Sequence, residues 1–153
     1  MEFQKRKPNR LENFDYSQNG VYFITICAKD RKPILSAVGA NFVRPTKIGT
    51  VVENEINRIS SIYDSVSIDK YVIMPNHIHL LIRIENNGRT QFAPTISRII
   101  KQFKGSVTKQ LGESIWQKSF YDHIIRDEYD YLAKWKYIDD NPAKWAEDEL
   151  YCR

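Results

Sequence analysis

Between residues 77 and 84 the chain reads His-Ile-His-Leu-Leu-Ile-Arg-Ile, with an aliphatic residue at every even position. Successive strand side chains face opposite ways, so Ile78, Leu80, Ile82 and Ile84 share one face and His77, His79, Leu81 and Arg83 the other. Such a strand requires a core on its even face and leaves two imidazoles on the opposite one. The Pro75-Asn76 pair just before it suits the corner of a tight hairpin with an earlier strand, Val66 to Met74.

The remaining elements follow from composition and period. Val21 to Cys27 is β-branched or aromatic at nearly every position and stops at Asp30-Arg31-Lys32-Pro33, as a first strand would. After a loop with Gly39 and Pro45, Ile48, Val52, Ile56 and Ile59 place one apolar stripe on a helix from Ile48 to Ile62. Glu85 to Pro94 reads as a loop. In the next helix Ile96, Ile99, Ile100, Phe103, Val107 and Leu111 share a face, with Arg98, Lys101, Lys104 and Lys109 around the opposite side. Ile115 to Ile125 is expected to be the fourth strand, and Asp127 caps a last helix from Glu128 to Asp140 that closes at Asn141-Pro142. The order β-α-β-β-α-β-α predicts an α+β fold, a ferredoxin-like split βαβ sandwich with a four-stranded antiparallel sheet and an additional C-terminal helix. Two crossover helices cover one sheet face. The histidines lie on the other, which stays open unless the last helix crosses it. We expect a single domain over residues 1–153, with 1–15 as a basic N-terminal arm.

With 153 residues and 42% hydrophobic side chains, the chain can bury a real core. Nowhere does it hold the roughly 20 consecutive apolar residues of a membrane span, and Met1 to Arg10 leads into no apolar signal segment, so a soluble, cytoplasmic protein is expected. Cys27 and Cys152 show no metal or redox spacing and are expected to be free thiols. The formal charge is +4 and the pI about 9.0. Lys5, Arg6 and Lys7 gather in the arm, and Arg98, Lys101 and Lys104 on the second helix, while acids concentrate after Asp122. This distribution fits a polyanionic partner or a solvated face equally.

An i, i+2 histidine pair on a strand projects both rings to one side with Cα atoms roughly 6.5 Å apart, so they can converge on one metal ion or form an ordinary polar strand face. On the last helix Tyr137 and Asn141 share a face. Tyr131, Trp135 and Ile138 form its apolar stripe, and Tyr137 stands roughly 125° from that stripe's centre. Tyr137 therefore either packs at the helix edge, with Asn141 a simple cap, or is held out for chemistry.

Tyr71-Val72-Ile73-Met74-Pro75-Asn76-His77-Ile78-His79-Leu80-Leu81-Ile82 resembles the signature strand of the HUH single-tyrosine transposases, most of all the REP-associated tyrosine transposases. The stretch from Asp15 to Cys27 is similar to that family's first strand and its lead-in. Trp116 to His123 and Tyr137-Ile138-Asp139-Asp140-Asn141-Pro142 resemble its last strand and catalytic helix. The resemblance implies that His77 and His79, with Asn141 as third ligand, hold a divalent metal ion, Mg²⁺ or Mn²⁺, and that Tyr137 is the nucleophile. It further implies a metal-dependent single-stranded DNA endonuclease and strand transferase that forms a 5′-phosphotyrosine at hairpin-containing DNA.

Tyr121, Tyr129 and Tyr131 are rival nucleophiles, but only Tyr137 has the polar partner four residues on. His123 reads as a structural strand residue or as a neighbour of the metal or a phosphate. Lys5, Arg6, Lys7, Arg98, Lys101 and Lys104 are candidates for DNA phosphates, and exposed aromatics for stacking on bases. The alternative to an enzyme is a non-catalytic DNA-hairpin-binding module on the same frame. Monomer and homodimer both remain open.

Overall fold

Hydrogen-bonding side chains at the helix starts and strand alternation between them set the path of the chain. The computed structural model describes residues 19–39, 42–85 and 94–145. Within them the chain runs through β1 (Gly20–Cys27), a short 3-10 turn (Lys29–Arg31), β2 (Ser36–Val38), β3 (Val43–Pro45), α1 (Lys47–Ile62), β4 (Val66–Ile73), β5 (His77–Ile84), α2 (Ile96–Leu111), β6 (Tyr121–Ile124) and α3 (Glu128–Asp140). The basic arm, with Lys5, Arg6 and Lys7, and Cys152 lie outside the described residues, whereas Cys27 is a buried thiol.

Each helix begins on a cap. The Thr46 side chain accepts from Gly49 N, Thr95 from Arg98 N, and Asp127 from Asp130 N, which satisfies amides that no helical carbonyl can reach. Gly49 is required for a second reason: a Cβ there would stand 1.9 Å from the Leu35 carbonyl oxygen. Gly112 closes α2 at φ 80°, in the left-handed region that glycine tolerates.

The main sheet has the order β4-β5-β1-β6 with every neighbouring pair antiparallel. This is the ferredoxin-like arrangement expected, with β5 inserted between the parallel β1 and β4. Tyr22, Ile24 and Ile26 of β1 and Ile78, Leu80, Ile82 and Ile84 of β5 bury one face against Val52, Ile56 and Ile59 of α1 and Ile99, Phe103 and Val107 of α2. The opposite face carries a smaller cluster, Val21, Leu81 and Ile138, flanked by Phe23, Val72 and Tyr131. α3 thus crosses the histidine face.

Two expectations need correction. The last strand is Tyr121–Ile124 rather than Ile115 to Ile125, because Ile115 and Trp116 turn into the main core, where the Trp116 ring meets Phe103 at 5.7 Å. Trp116 keeps only an isolated bridge to Ala28. The segment read as a loop around Gly39 holds a small hairpin, β2 with β3. Three-residue strands are too short to show a period.

Candidate active site

The register of the sheet assembles the site's floor. Val72, His79, Thr25 and Tyr121 stand in one row across β4, β5, β1 and β6, and Cys27 pairs with His77 one step further along β1 and β5. Paired residues of antiparallel strands face the same side, so these side chains point toward α3. His77 and His79 are 0% and 3% exposed, with ring centroids 4.6 Å apart.

Both rings are held by their Nδ1 atoms. Nδ1 of His77 lies 2.8 Å from Oδ1 of Asn76. An amide oxygen only accepts, so that nitrogen carries the proton and the lone pair sits on Nε2. The amide is oriented by its own Nδ2, which donates to the Arg31 carbonyl at 3.5 Å. Nδ1 of His79 meets Thr25 Oγ1 at 2.8 Å; a hydroxyl both donates and accepts, so the contact fixes the orientation of the ring, and Nε2 is the lone-pair atom in the tautomer whose Nδ1 donates. Burial, then the neighbouring charge of His77, pushes the His79 pKa well below the usual 6.5, so the ring is neutral at physiological pH and able to act as a ligand.

α3 docks over this floor with few apolar contacts and several polar ones. Ile138 is its one buried residue. Tyr131 Oη donates to Asp69 Oδ2 at 2.8 Å, and Arg83 Nη2 reaches the same oxygen at 2.7 Å. Lys70 Nζ is 2.9 Å from Asp139. His123 Nε2 meets Asp130 Oδ2 at 2.7 Å, so His123 ties β6 to the first turn of α3. This is the structural of the two roles considered for it.

In that pose the Tyr137 ring stands edge-on to His79 at 5.2 Å and to Phe23 at 6.0 Å, while 45% exposed. Trp145, just past α3, lies 5.9 Å from the His77 ring. The turn carrying Asn141 runs between these two contacts. Asn141 is 4% exposed and its Nδ2 donates to the Tyr137 carbonyl at 3.3 Å. Nε2 of His79 and Oδ1 of Asn141 are buried with no hydrogen-bond partner among the described residues, an arrangement that costs stability unless something else satisfies them. Two imidazole nitrogens and one amide oxygen are donors suited to a divalent ion. No group of three His, Cys, Asp or Glu side chains gathers among the described residues, so the amide is needed to complete such a set.

A cavity of about 620 Å³ opens beside the pair, lined by His79 and Tyr137 together with Phe23, Thr25, Arg31, Tyr121, Ala133 and Lys134. Of the rival tyrosines, Tyr129 is 84% exposed and does not line it. Tyr131 also stays outside it, and burial and Asp69 raise its pKa, which keeps the phenol protonated. Tyr121 does line the cavity, from β6.

The basic candidates of α2 are placed elsewhere. Arg98 and Lys101 are exposed on the helix layer, with the sheet between them and the histidines. Lys104 does not reach outward: its Nζ donates to the carbonyls of Gln117 at 2.8 Å and Ser119 at 3.1 Å. Burial lowers its pKa. Sequence reasoning also missed Thr25, Asn76, Arg31 and Lys134. Asn76 and Lys134 carried a local signal, being adjacent to His77 and one helical turn before Tyr137; Thr25 and Arg31 become neighbours of the site only through the sheet.

Residues 17–141 match the model of a family described as "Transposase IS200 like". An uncharacterised protein of Haemophilus influenzae is 34% identical over 167 aligned positions, covering 95% of this chain and 93% of the relative. The REP-associated tyrosine transposase of Escherichia coli K12 is 27% identical over 130, covering 84% of this chain and 70% of its own. Among solved structures, one of a REP-associated tyrosine transposase bound to a REP hairpin superposes with a TM-score of 0.67 at 23% identity, over 88% of this chain and 73% of that one.

Proposed function

Since the chain belongs to the IS200-like transposase family, a family of enzymes, we propose that it cuts and rejoins single-stranded DNA through a covalent 5′-phosphotyrosine on Tyr137, with His77, His79 and Asn141 holding Mg²⁺ or Mn²⁺. The observation that carries this reading is the pair of buried, unsatisfied atoms, His79 Nε2 and Asn141 Oδ1, on the two elements that meet at Tyr137. The substrate is proposed to be hairpin-containing DNA, in keeping with the hairpin bound by the structural relative. We take residues 1–153 as one transposase-like domain acting in the cytoplasm; among the described residues no helix is long and apolar enough to cross a membrane.

In the first step Tyr137 Oη bonds to phosphorus and the phosphorus–O3′ bond breaks. The phenol gives up its proton, and the departing oxygen takes one to become a 3′-OH. Attack by a second 3′-OH then reverses the exchange and restores the phenol, so the phosphodiester is conserved where hydrolysis would consume it. A phenol of pKa near 10 is only about 0.1% ionised at pH 7. Bound at the two histidines and Asn141, a divalent ion would polarise the phosphate and stabilise the leaving oxygen. Asn76 keeps the His77 lone pair on Nε2, Thr25 orients the His79 ring, and the capped α3 holds Tyr137 at the cavity.

The test is a denaturing gel of protein with 3′-labelled single-stranded DNA carrying hairpins, in Mg²⁺, Mn²⁺ or EDTA. Label moving to protein mass with metal, and lost in Tyr137→Phe, supports the reading. An adduct that persists in Tyr137→Phe removes Tyr137 from the role. Hairpin binding without an adduct in either metal points instead to a binding module.

A further inference from the structure

The chemistry of Tyr137 leaves one wall of the cavity unused, and that wall is cationic. Lys134 lies one helical turn before Tyr137 on α3, so the two side chains share a helix face. Its Nζ is 5.8 Å from the centre of the Phe23 ring and forms a loose ion pair with Asp130 Oδ1 at 3.7 Å, too long for a hydrogen bond. Among the described residues no acceptor lies within hydrogen-bond distance of that ammonium group.

The second cation comes from a different part of the chain. Arg31 ends the turn after β1 and is exposed at the cavity. Asp30 and Arg31 both have left-handed backbone angles, φ 57° and 53°, although neither is glycine. Such consecutive angles persist only where the surroundings impose them. Here Arg31 N donates to the Ala28 carbonyl at 2.9 Å, Ala28 N to the Asn76 carbonyl at 2.8 Å, and the Asn76 side chain to the Arg31 carbonyl. The residue that orients His77 therefore also pins the turn that carries Arg31.

We propose that Arg31 and Lys134 form a two-cation clamp for a backbone phosphate of the DNA strand entering the cavity, setting that strand's path past Tyr137, with Tyr121 as a wall for the adjoining base. The clamp rests on the reading of the site as one that takes single-stranded DNA. The cavity volume lies within the range of about 300–1,000 Å³ of pockets that enclose ligand-sized groups, a size that suits one unpaired nucleotide.

The test measures binding in EDTA, where no cleavage intervenes. A fluorescent hairpin with a single-stranded extension is titrated at graded NaCl against the wild type, Lys134→Met, Arg31→Met, the double variant and Lys134→Arg. Each phosphate contact to a single strand adds about 0.7 to the slope of log affinity against log salt. The double variant, which frees the one clamped phosphate, is expected to lower the slope by about 0.7 and each single Met variant by part of that, while Lys134→Arg keeps the wild-type slope. On a blunt hairpin without the extension, all should bind as the wild type does. Unchanged slopes in both Met variants, an equal loss in the control Lys136→Met, or the same loss on the blunt hairpin would overturn the clamp. A failed adduct assay with these slopes intact would overturn the nucleophile alone.

Discussion

Thr25 and His79 are cross-strand neighbours in the sheet and hydrogen-bond partners, Oγ1 to Nδ1 at 2.8 Å. The same residue that stands opposite His79 in the register also fixes the orientation of its ring. Thr25→Val keeps the shape but leaves the buried Nδ1 of His79 without its hydroxyl partner, which should cost about 1–3 kcal/mol in urea unfolding. With the ring orientation no longer held, Mn²⁺ affinity measured by calorimetry is expected to fall about 10–100-fold, and Thr25→Ser to restore most of it.

Acid should destabilise the metal-free protein through His79. Its pKa in the fold is depressed well below 6.5 by burial and by His77, so between those two values the unfolded chain binds a proton that the folded one does not. Stability from this group is therefore complete above pH 6.5 and is lost as pH falls below it. Urea midpoints in EDTA at pH 7.5 and 5.5 should show the loss, and His79→Gln should reduce it.

Lys104 is expected to act on the fold and not on DNA. Lys104→Met removes the donor to the carbonyls of Gln117 and Ser119, with an expected loss of about 1–3 kcal/mol by thermal or urea denaturation. The salt dependence of hairpin binding should stay as in the wild type. A fall in that slope would return Lys104 to the DNA-contacting set.

Ile138 is the main apolar anchor of α3, buried with Val21 and Leu81. Ile138→Ala is expected to cost about 2–5 kcal/mol, felt first as faster amide exchange along α3 while β1 and β5 keep their protection. Adduct formation should fall with the docking of the helix. Uniformly faster exchange across the sheet would instead show that α3 and the core unfold together.

What was legible in the sequence is what local pattern controls. The alternation of Ile78, Leu80, Ile82 and Ile84 gave the faces of β5, Asp127 gave the start of α3, and the angular offset of Tyr137 from Tyr131 and Ile138 agrees with its exposure beside His79. What was not legible depends on distant partners. Lys104 reads as one more basic residue on an exposed face until the chain after Trp116 folds back to place two carbonyls beneath it. Thr25 is an unremarkable strand residue until β5 pairs with β1. No local signal announces that Asp30 and Arg31 take left-handed angles, because that conformation is imposed from Asn76, 45 positions further on.

The strict alternation of β5 also bears on how such a protein can change over generations. Inserting or deleting one residue between Pro75 and His77 would turn the histidines into the aliphatic layer and push isoleucines toward Tyr137, because every side chain beyond the change exchanges faces. Two residues gained or lost would preserve the faces while sliding the rings one row along β1, away from Thr25. Drift in this hairpin is therefore confined to substitutions, and length variation among descendants should collect in connections such as the one between β5 and α2.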